Sequence, residues 1–167
     1  SNAQLIKTAN GADVWGAVAD VKVFRGTPLP RVRAKGLSLA LAANERESVQ
    51  LVVTAGEQPL ADVRAVAGTL TAANGKDVIA ADCVSVRRVG YVAVKTPTDE
   101  TGACGLWPDP LLPQDATPFG VKARENQPLW ITVSVPKLTP ACIYSGSVEL
   151  VLTTGSAAPA LTKIPLT

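Results

Sequence analysis

Between Pro128 and Pro136 the chain reads Leu129-Trp130-Ile131-Thr132-Val133-Ser134-Val135, and no other stretch limits the fold as much. An extended backbone puts Leu129, Ile131, Val133 and Val135 on one face and Trp130, Thr132 and Ser134 on the other. The spacing predicts a half-buried strand. Pro128 and Pro136 bracket it, because proline cannot donate to a central ladder. After a turn, Val148, Leu150 and Leu152 repeat the alternation and predict a second strand over 143–153. The rest of the chain is expected to pack against this pair as further strands.

Taken in order, residues 4–12 read as a polar lead-in. Ser1-Asn2-Ala3 reads as a scar of tag removal, outside the fold. Val21 and Val23 alternate with Lys22 and Phe24, and Leu37, Leu39 and Leu41 alternate with small residues. Val49, Leu51 and Val53 predict a strand over 48–54, followed by a turn at Gly56-Glu57-Gln58-Pro59. A strand is expected over 63–70. Asn74-Gly75 is a strong hairpin signal, with 78–81 pairing back. Val84 to Val94 is a long strand candidate interrupted by Arg87-Arg88, read as a bend or a solvated edge. Residues 95–122 hold five prolines and three glycines, show no sustained period, and are expected to form one long ordered loop. About nine short strands punctuated by Gly, Pro and Asn predict an all-β fold. The expected form is a single antiparallel two-sheet β-sandwich, immunoglobulin-like, over 4–167.

Composition removes several classes of function. The chain has no histidine, so the commonest general base is missing and Ser-His-Asp or Cys-His hydrolysis is disfavoured. Cys83, Cys104 and Cys142 are widely spaced with no CxxC, so no metal site and no cofactor is expected. An odd number of cysteines permits at most one internal disulfide. Net charge is +2 with both signs interspersed, which gives no footprint for nucleic acid. No apolar run approaches the ~18–20 residues of a membrane span.

Three segments together resemble the N-terminal domain of glycoside hydrolase family 123 proteins. They are Asn44-Glu45-Arg46-Glu47-Ser48-Val49-Gln50-Leu51-Val52-Val53; Val89-Gly90-Tyr91-Val92 with Trp107-Pro108-Asp109-Pro110-Leu111-Leu112-Pro113; and Asn126-Gln127-Pro128-Leu129-Trp130 with Pro140-Ala141-Cys142-Ile143-Tyr144-Ser145-Gly146. The resemblance covers about Trp15 to Leu152. Cys142 stands where the pattern usually has glycine, and a cysteine at positive φ there would be strained. The resemblance implies a sandwich that precedes a separate (β/α)₈ barrel. In such enzymes an acidic pair on the barrel assists the substrate's own acetamido group in cleaving N-acetylgalactosamine glycosides. A barrel alone needs about 250 residues, so this chain is expected to lack it. It also implies an exported bacterial protein, periplasmic or at the cell surface, working in carbohydrate metabolism.

Asp99-Glu100 mimics that acidic pair but lies in the expected loop and reads as a solvated turn. Tyr91, Trp107, Asp109 and Leu111 are the candidates for ligand or interdomain contact. Trp107 and Leu111 either plug the end of the sandwich, pack on the missing barrel, or wall its cleft. Glu45, Glu47 and Gln50 read as structural hydrogen-bonders. Cys83 reads as a small buried hydrophobe and Cys104 as an exposed thiol. The leading function is a non-catalytic accessory domain that braces a catalytic barrel and shapes its glycan cleft. The alternatives are a carbohydrate-binding module, with a glycan as direct partner, and a structural spacer or adhesion domain. A free-standing enzyme ranks last.

Overall fold

The computed structural model describes residues 2–97, 102–113 and 119–167. Twelve strands are present among them, with one 3₁₀ turn at Ala81–Cys83 and no α-helix. In chain order they are β1 (Ala3–Ala9), β2 (Ala12–Val18), β3 (Arg46–Ala55), β4 (Leu60–Ala67), β5 (Leu70–Ala72) and β6 (Val78–Ile79). They continue with β7 (Val84–Val94), β8 (Gly105–Leu112), β9 (Phe119–Val121), β10 (Asn126–Ser134), β11 (Tyr144–Thr154) and β12 (Ala160–Leu166). The first sheet runs β1-β2-β3-β10-β7-β8. The second runs β6-β5-β11-β4-β9, with β12 paired to β11. All the strand pairings are antiparallel.

The main core lies between the sheets. Leu51, Val53, Leu129, Ile131 and Val133 from the first sheet meet Val63, Val148, Leu150, Leu152 and Ile164 from the second. Each set is one parity of its strand, so the alternation in the sequence is what builds the two layers. β10 and β11 do not form a hairpin. They sit in opposite sheets, and residues 135–143 carry the chain from one to the other. Pro128 lies inside β10, opposite Val52. The β7 partner begins only at Leu129, so Pro128 has a neighbouring strand on one side alone and its missing N–H is tolerated there.

Two segments hold strands where none was expected. Residues 4–12 are not a lead-in. They form most of β1 and its turn into β2, and Asn10 and Gly11 both take positive φ, as the two-residue hairpin turn requires. Ala3 is the first residue of β1 and pairs with Ala17. The segment 95–122 is not one loop, because β8 and β9 lie within it. Proline is tolerated at Pro108 and Pro110 because β8 is an edge strand that pairs only with β7. The Asn74-Gly75 hairpin forms as read, with Gly75 at φ +71° and Ala72 N–H donating to the Asp77 carbonyl. Cys142 does not have positive φ, so the turn there carries no strain of that kind.

Residues 19–45 form a strap rather than strands. It starts on the outer face of the first sheet and then closes one side of the sandwich. Leu5 N–H donates to the Val32 carbonyl, tying it to β1. Farther along, Leu37 N–H donates to the Pro165 carbonyl and Thr167 N–H to the Leu37 carbonyl, so the strap also runs parallel to β12. That approach is close: a Cβ on Gly36 would lie 2.5 Å from the Pro165 carbonyl oxygen. Gly36→Ala should therefore cost about 2 kcal/mol through backbone displacement. Urea unfolding reads this, and a loss within ~0.5 kcal/mol would mean the strap contact is loose.

Candidate functional site

The strap is pinned to the outer face of the first sheet by buried polar groups. Gln50, on β3, donates from Nε2 to the carbonyls of Val18 (3.0 Å) and Val21 (2.7 Å). Trp15 Nε1–H donates to Thr54 Oγ1 at 2.9 Å, and the Thr54 hydroxyl donates to Asn126 Oδ1 at 2.6 Å. Asn126 Nδ2 then donates to the carbonyls of Phe24 (2.9 Å) and Thr27 (2.8 Å). Trp15, Ala17, Val23 and Val52 form a second, smaller core beneath. The Val18 and Phe24 carbonyls also accept from Val21 and Thr27 N–H, so the side-chain amides supply the partners that the Val21 and Thr27 carbonyls would otherwise lack.

The candidate residues sit where this strap meets β7 and β8. The Tyr91 hydroxyl donates to the Val23 carbonyl at 3.0 Å, and the Arg25 guanidinium lies 4.4 Å over its ring. Arg25 also pairs with Glu125 at 2.9 Å. Trp107 meets Phe24 edge to face, with ring centroids 5.1 Å apart, and its Nε1–H donates to the Ala103 carbonyl. Both rings are thus brought to one corner. Asp109 and Leu111 follow on β8 and are exposed. Leu111 lies opposite Val89 in the ladder. The Trp107 ring packs on the strap through Phe24 and belongs to neither core cluster.

Burial pushes the Tyr91 hydroxyl up to about 12, with Glu125 adding to the rise and Arg25 opposing it. A tyrosine with its folded value above the unfolded ~10 keeps its proton longer when folded. Its stabilising contribution is present below pH ~10 and is lost as pH rises toward about 12. Ultraviolet titration should therefore show a tyrosine step delayed to about pH 12, and Tyr91→Phe should remove it, leaving only Tyr144, which is itself raised above the usual range. A titration with no step delayed to this range would contradict the packing at the corner.

Other candidates resolve differently. Arg88 is covered, because the β7–β8 ladder begins there opposite Leu112, whereas Arg87 lies just before that ladder and pairs only with Trp130 of β10 among the described residues. Arg87 is exposed, whereas Arg88 lies 5.0 Å over the Phe119 ring of β9 in the other sheet. Glu45 accepts from Ala42 N–H at 2.7 Å, while Glu47 is exposed. Cys83 packs against the main core, and burial, with Asp82 beside it, raises its thiol above the usual range. Cys104 is exposed, and none of the three cysteines is in a disulfide. Asp99-Glu100 lies outside the described residues. Among the described residues no cluster of three or more Cys, Asp or Glu is placed to hold a metal ion, and no helix is long and apolar enough to cross a membrane. Sequence reading missed Phe24, Arg25 and Glu125. Their partners lie far along the chain, and only the unusual Asn126-Gln127 entry into an apolar strand hinted at them.

Fold and corner together define an antiparallel two-sheet β-sandwich domain whose long β2–β3 strap is bonded down by side-chain amides and the Tyr91 hydroxyl. The chain belongs to the glycoside hydrolase 123 N-terminal domain family, whose model matches residues 17–151. A solved family 123 glycoside hydrolase from Clostridium perfringens, studied for glycolipid glycan hydrolysis, is similar at 16% identity with a TM-score of 0.58. The match covers 77% of this chain and 21% of that one. The chain thus spans about a fifth of the length of that enzyme, and the likeness shows a shared fold. The yeast GGA1 GAE domain matches at 4% identity, covering 97% of this chain and 98% of that one, with a TM-score of 0.41. Spo0M, a sporulation control protein from Bacillus subtilis, matches at 9% identity over 95% and 50%, with a TM-score of 0.35. Comparison with curated protein sequences gives no match.

Proposed function

We propose that this domain is a non-catalytic accessory unit of a larger family 123 glycoside hydrolase, bracing a catalytic barrel that follows it. The observation that carries the reading is the β7–β8 ribbon. It extends past the last β10 pairing at Arg88 and exposes Val92, Leu106 and Leu111 beside the Tyr91–Trp107 corner. Val92 shares a face with Trp107 and Leu106 stands on the other, so the overhanging ribbon offers exposed apolar side chains suited to burial against a neighbouring domain. The polar groups at its base hold the strap and keep the ribbon in place. Asp109 at the exposed rim is suited to a polar contact with that neighbour or with glycan at its cleft.

Direct sugar binding at this corner is the weaker reading. Stacking on a sugar needs a free aromatic face. The Tyr91 ring is covered by Arg25, and the Trp107 ring is engaged by Phe24. Calorimetry with N-acetylgalactosamine glycans should give no binding by the domain alone. The direct test of the accessory role is turnover. The purified 167-residue protein should release no product from an aryl N-acetylgalactosaminide, while the full-length parent should. Sustained turnover by the pure domain would end this reading. Export of the parent is proposed with it on family grounds, and fractionation of the producing cell tests it.

A further inference from the structure

The tyrosine–tryptophan corner lies at one end of the sandwich, and a second feature lies at the other. Val84 opposes Val133 and Arg88 opposes Leu129, so β7 climbs from the Ser134 end of β10 toward the Asn126 end and its ribbon overhangs there. Leu166 opposes Gly146, near the start of β11. Thr167 is therefore at the end away from the ribbon. An apolar groove of about 710 Å³ opens there, lined by Leu39, Leu41, Leu70, Ile79 and Val135, with Thr167 in its wall. Ile143, 65% exposed, stands at its rim.

The backbone at Thr167 is still in strand geometry on the strap side. Thr167 N–H donates to the Leu37 carbonyl, and Leu39 N–H donates to the Thr167 carbonyl at 2.9 Å. A parallel ladder in this register next uses the Leu39 carbonyl and the Leu41 N–H. Among the described residues neither has a backbone partner outside its own segment. On the other side, the β11–β12 register sets the first residue after Thr167 opposite Tyr144. The opposite flank of Tyr144 is already taken by Ala72 of β5. A slot with two prepared edges thus continues β12. Ile164 and Leu166 point into the core, so the first and third residues after Thr167 would point into the groove.

We propose that the segment following Thr167 in the parent protein extends β12 into this groove as a strand between Leu39–Leu41 and Tyr144, with two inward apolar side chains filling it. This rests on the reading that the chain continues into a downstream domain. Its consequence is that the downstream domain leaves from a strand-anchored junction whose direction is fixed by the sandwich.

The test compares the 167-residue chain, the same chain with the next several residues of its own gene, and the same chain with an equal number of Gly and Ser residues. The native extension should raise Tm by ~4 °C or more and slow exchange of the Leu41 amide at least ~10-fold. The Gly/Ser extension should do neither. Leu41→Asp should abolish the gain from the native extension, whatever it does to basal stability. The same Leu41 amide should be protected in the full-length parent. Equal behaviour of the two extensions, an unprotected Leu41 amide in the parent, or a dimer through this groove that persists with the native extension would each overturn the inference. None of these outcomes bears on turnover, so the accessory reading stands or falls separately.

Discussion

Asn126→Leu is expected to destabilise the domain by about 4 kcal/mol, the largest effect of any polar substitution in it. Asn126 is 1% exposed. Its amide accepts from Thr54 and donates to Phe24 and Thr27 carbonyls. Leucine has similar volume, so packing loss is small. What remains is the Thr27 carbonyl and the Thr54 hydroxyl stripped of their Asn126 partner in a buried site, each costing about 1–3 kcal/mol, and the Phe24 carbonyl reduced to its bond from Thr27 N–H. The loss should appear in urea unfolding as a lower midpoint. The Tyr91 corner should loosen with it, because Phe24 and Arg25 are part of the strap that Asn126 holds. A control at exposed Leu161 (Leu161→Ser) should stay within ~0.5 kcal/mol. An Asn126→Leu loss below ~1 kcal/mol would mean water reaches the strap and the pinning is not structural.

Trp15→Ala should cost a similar amount, about 4 kcal/mol, but for a different reason. Trp15 is 1% exposed and fills the small core between the strap and the first sheet. Alanine leaves a cavity that Val23 and Val52 can only partly close. Trp15→Phe keeps most of the volume and loses the Nε1–H bond to Thr54, so it should cost about 1 kcal/mol. The two predictions are linked. Trp15, Thr54 and Asn126 form one chain of hydrogen bonds, so Trp15→Phe with Asn126→Leu should be less than additive. Strict additivity would show that the bonds act independently.

The strands were legible where one face is buried. β11 and the second half of β10 alternate in burial because each lies against the core on one side, whereas β3 is buried on both faces, by the main core and by the strap. Partner choice was not legible. Alternation marks Leu129–Val133 and Val148–Leu152 as strands, but the chain crosses between sheets at 135–143, and nothing in period two distinguishes a crossover from a hairpin. β1 was missed because its residues alternate weakly. Yet its Asn10-Gly11 turn carried the same signal that located the hairpin at Asn74-Gly75. β8 was hidden by Pro108 and Pro110, which an edge strand tolerates. The Leu37–Leu41 alternation was real, but that segment makes only an isolated parallel bridge to the end of β12 and does not form a strand of its own. For the corner, Tyr91 and Trp107 could be named from their segments. Arg25 and Glu125 could not, since their ion pair joins residues 100 apart.

A domain that braces its neighbour must share in that neighbour's unfolding. Differential scanning calorimetry on the full-length parent, the proposed catalytic barrel by itself and this 167-residue domain measures this directly. The account predicts that the barrel alone melts several degrees lower than in the parent, and that Leu106→Asp in the ribbon shifts the parent toward the separated value. Two transitions in the parent at the temperatures of the isolated pieces, unmoved by Leu106→Asp, would contradict it.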